Sequence, residues 1–468
     1  MTLGVATAAI DRQAGVQARP AHVRGHEHEA NVFDRLEAAN DRSLRGPTKL
    51  GAVYPETVGG YRKSASIAQG ESYSRAMTFP TLASDFYGFE ALLADHERDA
   101  LLRLRTFLEA EVKPVVNDYW ERAEFPRQIL PGLHEQQVFG NLWEETKAGD
   151  YSAVYGGWTA LEMARVDASV ATYVGVQNGL AMGSIGVAGS PEQRTEWLPK
   201  LKTGEVVGAF GLTEPLSGSD SAQGLRTTAT RDGDEWVLNG SKRWIGNATW
   251  SDITIIWAKS TEDGQVKGFI VPTSTPGYSA TKIERKQSLR IVQNADIELT
   301  DVRVPESHRL QNANSFRDTA SVLRLTRAEV AWAAVGTAIG AYEAAVEYAT
   351  TREQFGKPIA RHQLVQDLLS RSLANITASI ALCTRVSQML DDGVQRDEHA
   401  SLAKAFATTA MRETVGLCRE ALGGNGIVLD YDVARFHADA EALYSYEGTR
   451  EMNSLIVGRA ITGMGAFV

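Results

Sequence analysis

The chain has 468 residues, of which 43% are hydrophobic and 23% are charged, and its formal net charge is −10. That length exceeds what one hydrophobic core usually serves, so two or three domains are expected, and the composition is that of a soluble globular protein. The acidic balance argues against nucleic acid or an anionic membrane as the partner, although a local basic patch can still hold a phosphate-bearing ligand.

The two cysteines, Cys383 and Cys418, are too few for a disulfide framework or a Cys-rich metal site, and no metal is predicted. Both are interpreted as buried, small apolar residues. The most apolar stretch, 331–342, is too short to cross a membrane, and the N-terminus has neither a signal-peptide pattern nor the acid-poor composition of a transit peptide. We therefore expect a cytoplasmic protein.

Residues 1–85 are predicted to be an irregular extension, with a short helix from Asn31 to Asn40. A His-Glu-His-Glu run at 26–29 resembles a metal-binding cluster, but adjacent residues do not share a helix face, so we interpret it as a solvated loop.

Residues 86–203 are predicted to form an N-terminal helical domain. Its first helix has an apolar stripe with helical spacing, made by Leu101, Leu104, Phe107 and Leu108. A second helix is predicted from Gly157 to Arg165, and a third follows Asp167.

Residues 204–311 are predicted to form a middle β domain, because the hydrophobic period changes from helical to alternating. The predicted strands are Val206–Gly211, Glu235–Leu238, Ile253–Ala258, Phe269–Pro272 and Asp296–Val304. The pair Asn239-Gly240 predicts a hairpin turn between Trp236–Leu238 and Lys242–Ile245. Short connected strands of this kind favour a small barrel or sandwich.

Residues 312–468 are predicted to form a C-terminal four-helix bundle, because apolar residues recur at spacings of three and four. Two runs carry this pattern: Val335, Ile339, Tyr342 and Val346, then Leu369, Leu373, Ile376, Ile380 and Cys383. The predicted fold class is thus mainly α with a central β domain.

Gly211–Asp220 is rich in small and hydroxylated residues and closes a predicted strand. Such a loop can present backbone N–H groups and hydroxyls to phosphates or to polar ring edges, although a plain surface turn has the same composition. A P-loop lysine and a correctly spaced glycine triplet are both missing, which disfavours nicotinamide binding by a Rossmann unit.

Two further motifs stand out in the helical C-terminal half. Arg352–Pro358 is a cationic and aromatic turn; a helix end explains Gly356 and Pro358, but explains Arg352 and Phe355 less well. In Tyr446–Thr449 a carboxylate precedes a helix-breaking glycine. Glu447 is either a general base with a raised pKa in a dry cleft or an acid that caps the next helix.

In their order and spacing these three motifs resemble the acyl-CoA dehydrogenase family, and the resemblance covers about residues 86 to 468. It implies FAD as cofactor, an acyl-CoA substrate, a homotetramer, and electron transfer to an electron-transfer flavoprotein. It also implies that Glu447 removes the α-proton while the β-hydride passes to flavin N5, with Arg327 tuning the base.

The resemblance assigns further roles residue by residue. Positions that contact the flavin or line the thioester site within one subunit are Phe210, Leu212, Thr213, Ser219, Trp244, Gly246, Thr449 and Glu451. Positions that reach the FAD of a neighbouring subunit are Arg352, Gln354, Phe355, Glu420, Gly423 and Gly424. Candidate substrate contacts are Ser219, Tyr446, Gly448 and two arginines that suit CoA phosphates or pantetheine, Arg290 and Arg324.

Three departures from the family pattern bear on function. Gly246 stands where many members carry a hydroxyl that contacts flavin N5, and Glu420 and Glu451 stand where amides are frequent. Individual segments are most similar to the glutaryl-CoA dehydrogenase branch and to plant peroxisomal short-chain acyl-CoA oxidases. The residues that bind a distal carboxylate in glutaryl enzymes are replaced here by Ala164, Ala171 and Thr172, so a monoacyl substrate is expected.

Four functions stay open from the sequence. The first is a dehydrogenase that hands electrons to an electron-transfer flavoprotein, and the second is an oxidase that hands them to O2. Family frequency favours the dehydrogenase, whereas Gly246 favours the oxidase. The third is an FAD-bound scaffold without activity, and the fourth is an oxidase of nitroalkanes or other non-CoA substrates. The presence of Glu447 argues against the scaffold.

Overall fold

The structure, a computed structural model, describes residues 81–466. The helix expected at 31–40 and the His-Glu run at 26–29 lie outside this range. The N-terminal helical domain begins with a short 3₁₀ turn at Phe89–Leu92. Its helices are α1 (Asp95–Phe107), α2 (Lys113–Arg122), α3 (Leu130–Glu135), α4 (Ala153–Val166), α5 (Ala168–Val174), α6 (Gly183–Ala188) and α7 (Pro191–Thr203).

The predicted apolar stripe of α1 lies in the core, where Leu101, Leu104 and Leu108 are fully buried. The helix predicted from Gly157 is confirmed within α4, which begins earlier because the Ser152 hydroxyl accepts a hydrogen bond from the Tyr155 N–H. The helix predicted after Asp167 is interrupted by a π-helical segment, Gly175–Met182, between α5 and α6. This π segment forms one wall of the cavity described below.

The middle domain is a seven-stranded sheet. Its strands are β1 (Gly208–Gly211), β2 (Thr228–Asp232), β3 (Glu235–Ile245), β4 (Ile253–Ser260), β5 (Val266–Pro272), β6 (Tyr278–Lys282) and β7 (Ala295–Pro305). The strand order is β1-β4-β2-β3-β7-β6, with β5 paired to the other side of β4. β1 and β2 run parallel to β4, and the remaining pairs are antiparallel.

The hairpin predicted at Asn239-Gly240 is wrong, because β3 continues through both residues. They lie at a register shift in the pairing of β3 with β7, which is a bulge. Gly240 has φ 143°, and a Cβ there would lie 2.7 Å from the Thr227 Cα, so the close approach of the two backbones requires glycine. The hairpin in this region instead joins β2 to β3, and its turn lies between Asp232 and Glu235.

The C-terminal domain consists of long helices packed as predicted. They are α8 (Phe316–Thr351), α9 (Gln363–Asp391), α10 (Asp397–Leu422), α11 (Val433–Ser445) and α12 (Arg450–Thr462). Cys383 and Cys418 are buried in this bundle, as expected. Across residues 81–466, every helix is too short or too polar to cross a bilayer.

Helices α4 and α8 approach each other closely enough to join the first and last domains. A Cβ on Gly157 would lie 2.1 Å from the Trp332 indole nitrogen, and one on Gly336 would lie 2.1 Å from the Leu161 carbonyl oxygen. Any larger residue at either position would separate the two helices. The tight crossing holds the cavity-facing residues of α8 opposite the π segment.

The turn at Arg352–Pro358 is not the glycine-stopped helix end that the sequence allowed. α8 ends at Thr351, before the glycine, and the chain forms a small hairpin from β8 (Glu353–Gln354) and β9 (Lys357–Pro358). Its two turn residues, Phe355 and Gly356, have φ of 54° and 74°. Two consecutive left-handed residues are typical of a type I′ turn, which favours glycine at the second position.

Candidate active site

A cavity of about 860 Å³ lies between the π segment, α8, the loop after β1 and the loop that joins α11 to α12. It is lined mainly by apolar atoms, as small-molecule sites commonly are. The predicted site residues that line it are Phe210, Leu212, Thr213, Ser219, Trp244, Gly246, Arg327, Tyr446, Glu447, Gly448 and Thr449.

Glu447 lies on the two-helix junction between α11 and α12. The chain reverses there because Glu447 and Gly448 have φ of 53° and 81°, and Thr449 then caps α12 by accepting from the Met452 N–H. Its Oε2 accepts a hydrogen bond of 2.8 Å from the Thr326 hydroxyl on α8. Burial raises the pKa of Glu447, whereas the Thr326 hydrogen bond and the charges of Arg327 and Lys404 lower it. A carboxylate with these properties is suited to accept a proton near neutral pH.

Lys404 on α10 fixes the loop that carries Glu447. Its Nζ is buried and donates to the carbonyl oxygens of Tyr444, at 3.0 Å, and Gly448, at 2.7 Å. These carbonyls flank Glu447 on both sides. Burial lowers the pKa of Lys404 to about 8, and the nearby Glu447 acts in the opposite direction.

The loop after β1 is shaped by a buried ion pair. The Lys242 Nζ donates to Glu214 Oε1 at 2.9 Å and to the carbonyl oxygens of Leu212 and Trp257. The Glu214 carboxylate also accepts hydrogen bonds from the N–H groups of Arg226 and Thr227. The Lys242–Glu214 pair therefore contacts the backbone at both the start and the end of this loop. Burial lowers the pKa of Lys242 to about 8. This arrangement holds Leu212, Thr213 and Ser219 at the cavity.

Trp244 presents a half-exposed indole to the same cavity. Its backbone has φ 66°, and its carbonyl oxygen accepts from Asn294 Nδ2 at 3.1 Å. Asn294 Oδ1 in turn accepts from the Lys286 Nζ at 2.6 Å, and Lys286 also lines the cavity. These hydrogen bonds fix the backbone of Trp244, and its indole leaves a flat apolar face for another ring to pack against.

Seven predicted cofactor contacts lie away from this cavity. The hairpin with Arg352, Gln354 and Phe355 is at the end of α8, where the Phe355 side chain is 91% exposed. The turn after α10 with Glu420, Gly423 and Gly424 is next to it, because Asn425 Nδ2 donates to the Tyr348 hydroxyl at 2.9 Å. Both segments are on the surface, as a contact to another subunit would require. Glu451 is also outside the cavity wall, and it pairs with Arg450 at 2.9 Å.

The two arginines assigned to CoA differ in their surroundings. The Arg290 guanidinium donates to the carbonyl oxygens of Trp120, Lys286 and Glu121, so its donors are occupied by backbone and it does not line the cavity. Arg324 lies one helical turn before Arg327 and is 4.0 Å from Asp397, which does line the cavity.

Several polar residues close to Glu447 were not predicted, among them Thr326, Glu329 and Lys404. Lys404 is preceded by Ala400 and Ala403 and followed by Ala407, all of which are buried. A lone lysine within a buried alanine stripe is the sequence signal that was available, since such a charge needs a specific partner.

The chain matches three family models in succession. They are described as the N-terminal, middle and C-terminal domains of acyl-CoA dehydrogenase, at residues 94–205, 209–302 and 316–462. It is 33% identical over 365 residues to an acyl-CoA dehydrogenase of Bacillus subtilis, covering 77% of this chain and 96% of that protein. The chain belongs to the acyl-CoA dehydrogenase family.

Two other relatives are informative about this acyl-CoA dehydrogenase family member. A glutaryl-CoA dehydrogenase of Mycobacterium smegmatis in complex with FADH2 has a TM-score of 0.80 at 36% identity, covering 83% of this chain and 100% of that one. The CarC subunit of the caffeyl-CoA reductase-Etf complex of Acetobacterium woodii is 31% identical over 369 residues, covering 77% of this chain and 97% of that protein.

The protein is accordingly an FAD-dependent oxidoreductase that acts on CH–CH bonds, and the predicted family, fold, cofactor and enzyme class are confirmed. The cavity fits the flavin ring. The Trp244 face, the Gly246 backbone and the loop bearing Thr213 and Ser219 line one part of it, while Glu447 lines another. Gly246 has no side chain that could occupy the space where the ring would pack. A Cβ at this position would lie 3.3 Å from the Val176 side chain.

Proposed function

We propose that the enzyme oxidises a monoacyl-CoA to the trans-2-enoyl-CoA, with Glu447 as the base that removes the α-proton. The observation that carries the proposal is the Glu447 carboxylate, which lines the cavity, bonds to Thr326 and has a raised pKa. A general base must face its substrate and gains from a raised pKa; this carboxylate lines the cavity and its pKa is raised by burial.

The backbone of the same residue offers a second function. Among residues 81–466 the Glu447 N–H donates to no other group, which leaves it free for the thioester oxygen. A hydrogen bond there would stabilise the enolate-like charge that develops as the α-proton leaves. When bound, FAD accepts the hydride from the β-carbon. Arg327 lies beside the base, and its charge helps to keep Glu447 ionised in the resting site.

The substrate proposed is a monoacyl thioester. By resemblance, Ala164, Ala171 and Thr172 stand where glutaryl enzymes bind a distal carboxylate; Ala171 and Thr172 line the cavity, and Ala164 is fully buried. These positions bear no cation, and a carboxylate buried without one loses much of its hydration energy.

We infer that the protein forms a homotetramer and that an electron-transfer flavoprotein is its partner. The first inference is supported by large exposed side chains near the two surface segments: Phe355, Leu364 and Ile427 are 91%, 82% and 70% exposed. Such residues usually mark an interface. The second is supported by the Acetobacterium woodii relative, whose name places it in a complex with Etf.

An oxidase is the second candidate, and Gly246 favours it. Because this residue has no side chain, it supplies no hydroxyl to the flavin, and the resulting change in polarity is a route to reaction with O2. The two candidates share every step up to the reduced enzyme and differ only in the final electron acceptor.

The test is an anaerobic titration of the purified FAD-loaded protein with butyryl-, octanoyl- and glutaryl-CoA, followed by air. Bleaching of the flavin by a monoacyl-CoA in the wild type but not in Glu447→Gln is the expected result. Fast recovery in air would favour the oxidase, and recovery only with an electron-transfer flavoprotein would favour the dehydrogenase. If no thioester bleached the bound flavin, the acyl-CoA proposal would be wrong, and a non-CoA substrate or an inactive scaffold would take its place.

A further inference from the structure

A second carboxylate lines the active cavity, and the mechanism above does not use it. Glu329 lies on α8 three residues after Thr326, and both line the cavity. A Cβ on Gly179 would lie 2.7 Å from Glu329 Oε2, and one on Gly175 would lie 3.6 Å from Oε1. The carboxyl group is thus pressed against the π segment, in a space that these two glycines leave open.

This carboxylate has no protein partner within the part of the chain that the structure describes. It accepts no hydrogen bond and forms no ion pair there, although carboxylates in such places are normally paired. Burial and, to a smaller extent, the charge of the neighbouring Glu447 together raise the pKa of Glu329 to about 7. Its oxygens are therefore open to hydrogen bonding by a molecule that occupies the cavity.

Its position suits the acyl chain. Glu329 is three residues, or about 4.5 Å of helix rise, beyond Thr326, whose hydroxyl donates to the Glu447 carboxylate. The surrounding wall contains Ala171, Thr172 and Val330 and is otherwise mostly apolar. The Thr172 and Tyr446 hydroxyls also line the cavity and lie 3.4 Å apart.

We propose that Glu329 is a specificity-determining residue, which favours acyl groups with a hydrogen-bond donor at the distal end and rejects those that end in a carboxylate. This inference rests on the proposed function. A hydroxyl on the acyl chain can donate to the Glu329 carboxylate, which otherwise stays unpaired. A terminal carboxylate beside Glu329 would meet a like charge, and such contacts are a recognised means of rejecting the wrong ligand.

The experiment compares kcat/KM for thioesters of four to six carbons that end in a methyl, a hydroxyl or a carboxylate group. The wild type is compared with Glu329→Gln, which removes the charge, and Glu329→Leu, which also removes the hydrogen-bonding group. Glu347→Gln is the matched control, because Glu347 is an exposed glutamate on the same helix and lies outside the cavity.

In Glu329→Gln we expect kcat/KM for the carboxylate series, relative to the methyl series, to rise by about tenfold or more. In Glu329→Leu we expect the preference for the hydroxyl series over the methyl series to be lost. Both ratios should be unchanged in Glu347→Gln. Ratios between substrates cancel any general loss from altered folding or flavin content, so a purely structural role for Glu329 would not move them.

The ratio should also depend on pH in the wild type. Discrimination against the carboxylate series should increase as the pH rises through about 7, because Glu329 becomes ionised there. The titratable groups near it are Glu447 and Tyr446 on the α11–α12 loop, with Arg327 and Lys404 acting on Glu447. The π segment contributes none. Titration of Glu447 affects all substrates alike, so the pH dependence of the ratio should disappear in Glu329→Gln.

Two failures are distinguishable. If no thioester reduces the flavin, the proposed function is wrong, and the Glu329 proposal, which rests on it, is wrong with it. If monoacyl thioesters are oxidised but the ratios are the same in the wild type, Glu329→Gln and Glu329→Leu, the assignment of Glu329 is wrong while the proposed function stands.

Discussion

Thr326→Val tests how the protein sets the pKa of its base. The change removes the hydroxyl that donates to Glu447 Oε2 at 2.8 Å and keeps the branched shape of the side chain. A hydrogen bond to a charged acceptor contributes about 1.5–3 kcal/mol, and about 1.4 kcal/mol corresponds to one pKa unit. The pKa of Glu447 should therefore rise by about 1–2 units. The lower figure is expected, since the hydroxyl also lies 3.2 Å from the Leu323 carbonyl oxygen and can turn to it when Glu447 is protonated.

The assay is kcat/KM against pH with the best monoacyl-CoA and an artificial electron acceptor. A base with a raised pKa stays protonated to higher pH, so the acid limb of the profile should move upward while the plateau above it is retained. Thr326→Ser keeps the hydroxyl and should leave the limb in place. An unmoved limb in a folded, FAD-loaded Thr326→Val enzyme would refute the idea that this hydrogen bond controls Glu447.

Three further predictions follow from the packing around the site. Lys404→Met should lower kcat/KM by about tenfold or more, because the Glu447 loop loses the hydrogen bonds that Lys404 donates to the Tyr444 and Gly448 carbonyl oxygens; an unchanged value would show that Asn453, which also donates to the Gly448 carbonyl oxygen, is enough to hold the loop. Trp244→Ala should weaken FAD retention, seen in the ratio of flavin to protein absorbance, with a change in unfolding free energy below about 0.5 kcal/mol because the side chain is half-exposed. Gly336→Ala should destabilise the protein by about 1–3 kcal/mol in urea unfolding, because its Cβ would meet the Leu161 carbonyl oxygen. Gly156→Ala on α4 has no atom within 4 Å of the added Cβ and should be neutral or stabilising.

The three-part architecture was predictable because the hydrophobic period changes twice along the chain. β2 and β6 were missed, since Thr228–Asp232 has a single buried residue and Tyr278–Lys282 has none, so neither shows a strong alternation. The hairpin prediction at Asn239-Gly240 was wrong because local sequence alone does not fix strand pairing. The same residue types that favour a turn also suit a bulge, and only the partner strand decides between them.

The site was predictable where its chemistry is local in sequence. Glu447, Gly448 and Thr449 form one short motif, and the structure places all three at the cavity. The groups that control Glu447 are distant in sequence: Thr326 is 121 residues away along the chain. A single sequence does not show such contacts, because they arise only when α8, α10 and the α11–α12 loop pack together.

Helix α8 is 36 residues long and has functional residues at both ends. Arg327 lies at the cavity, and Arg352 follows the last turn, about 38 Å further along the axis at 1.5 Å per residue. If the proposed tetramer places Arg352 against a neighbour's flavin, helix α8 contributes residues to two flavin sites, one in its own subunit and one in the neighbour. Dilution that separates subunits would then remove a wall from each flavin site, so the apparent affinity for FAD would fall with protein concentration.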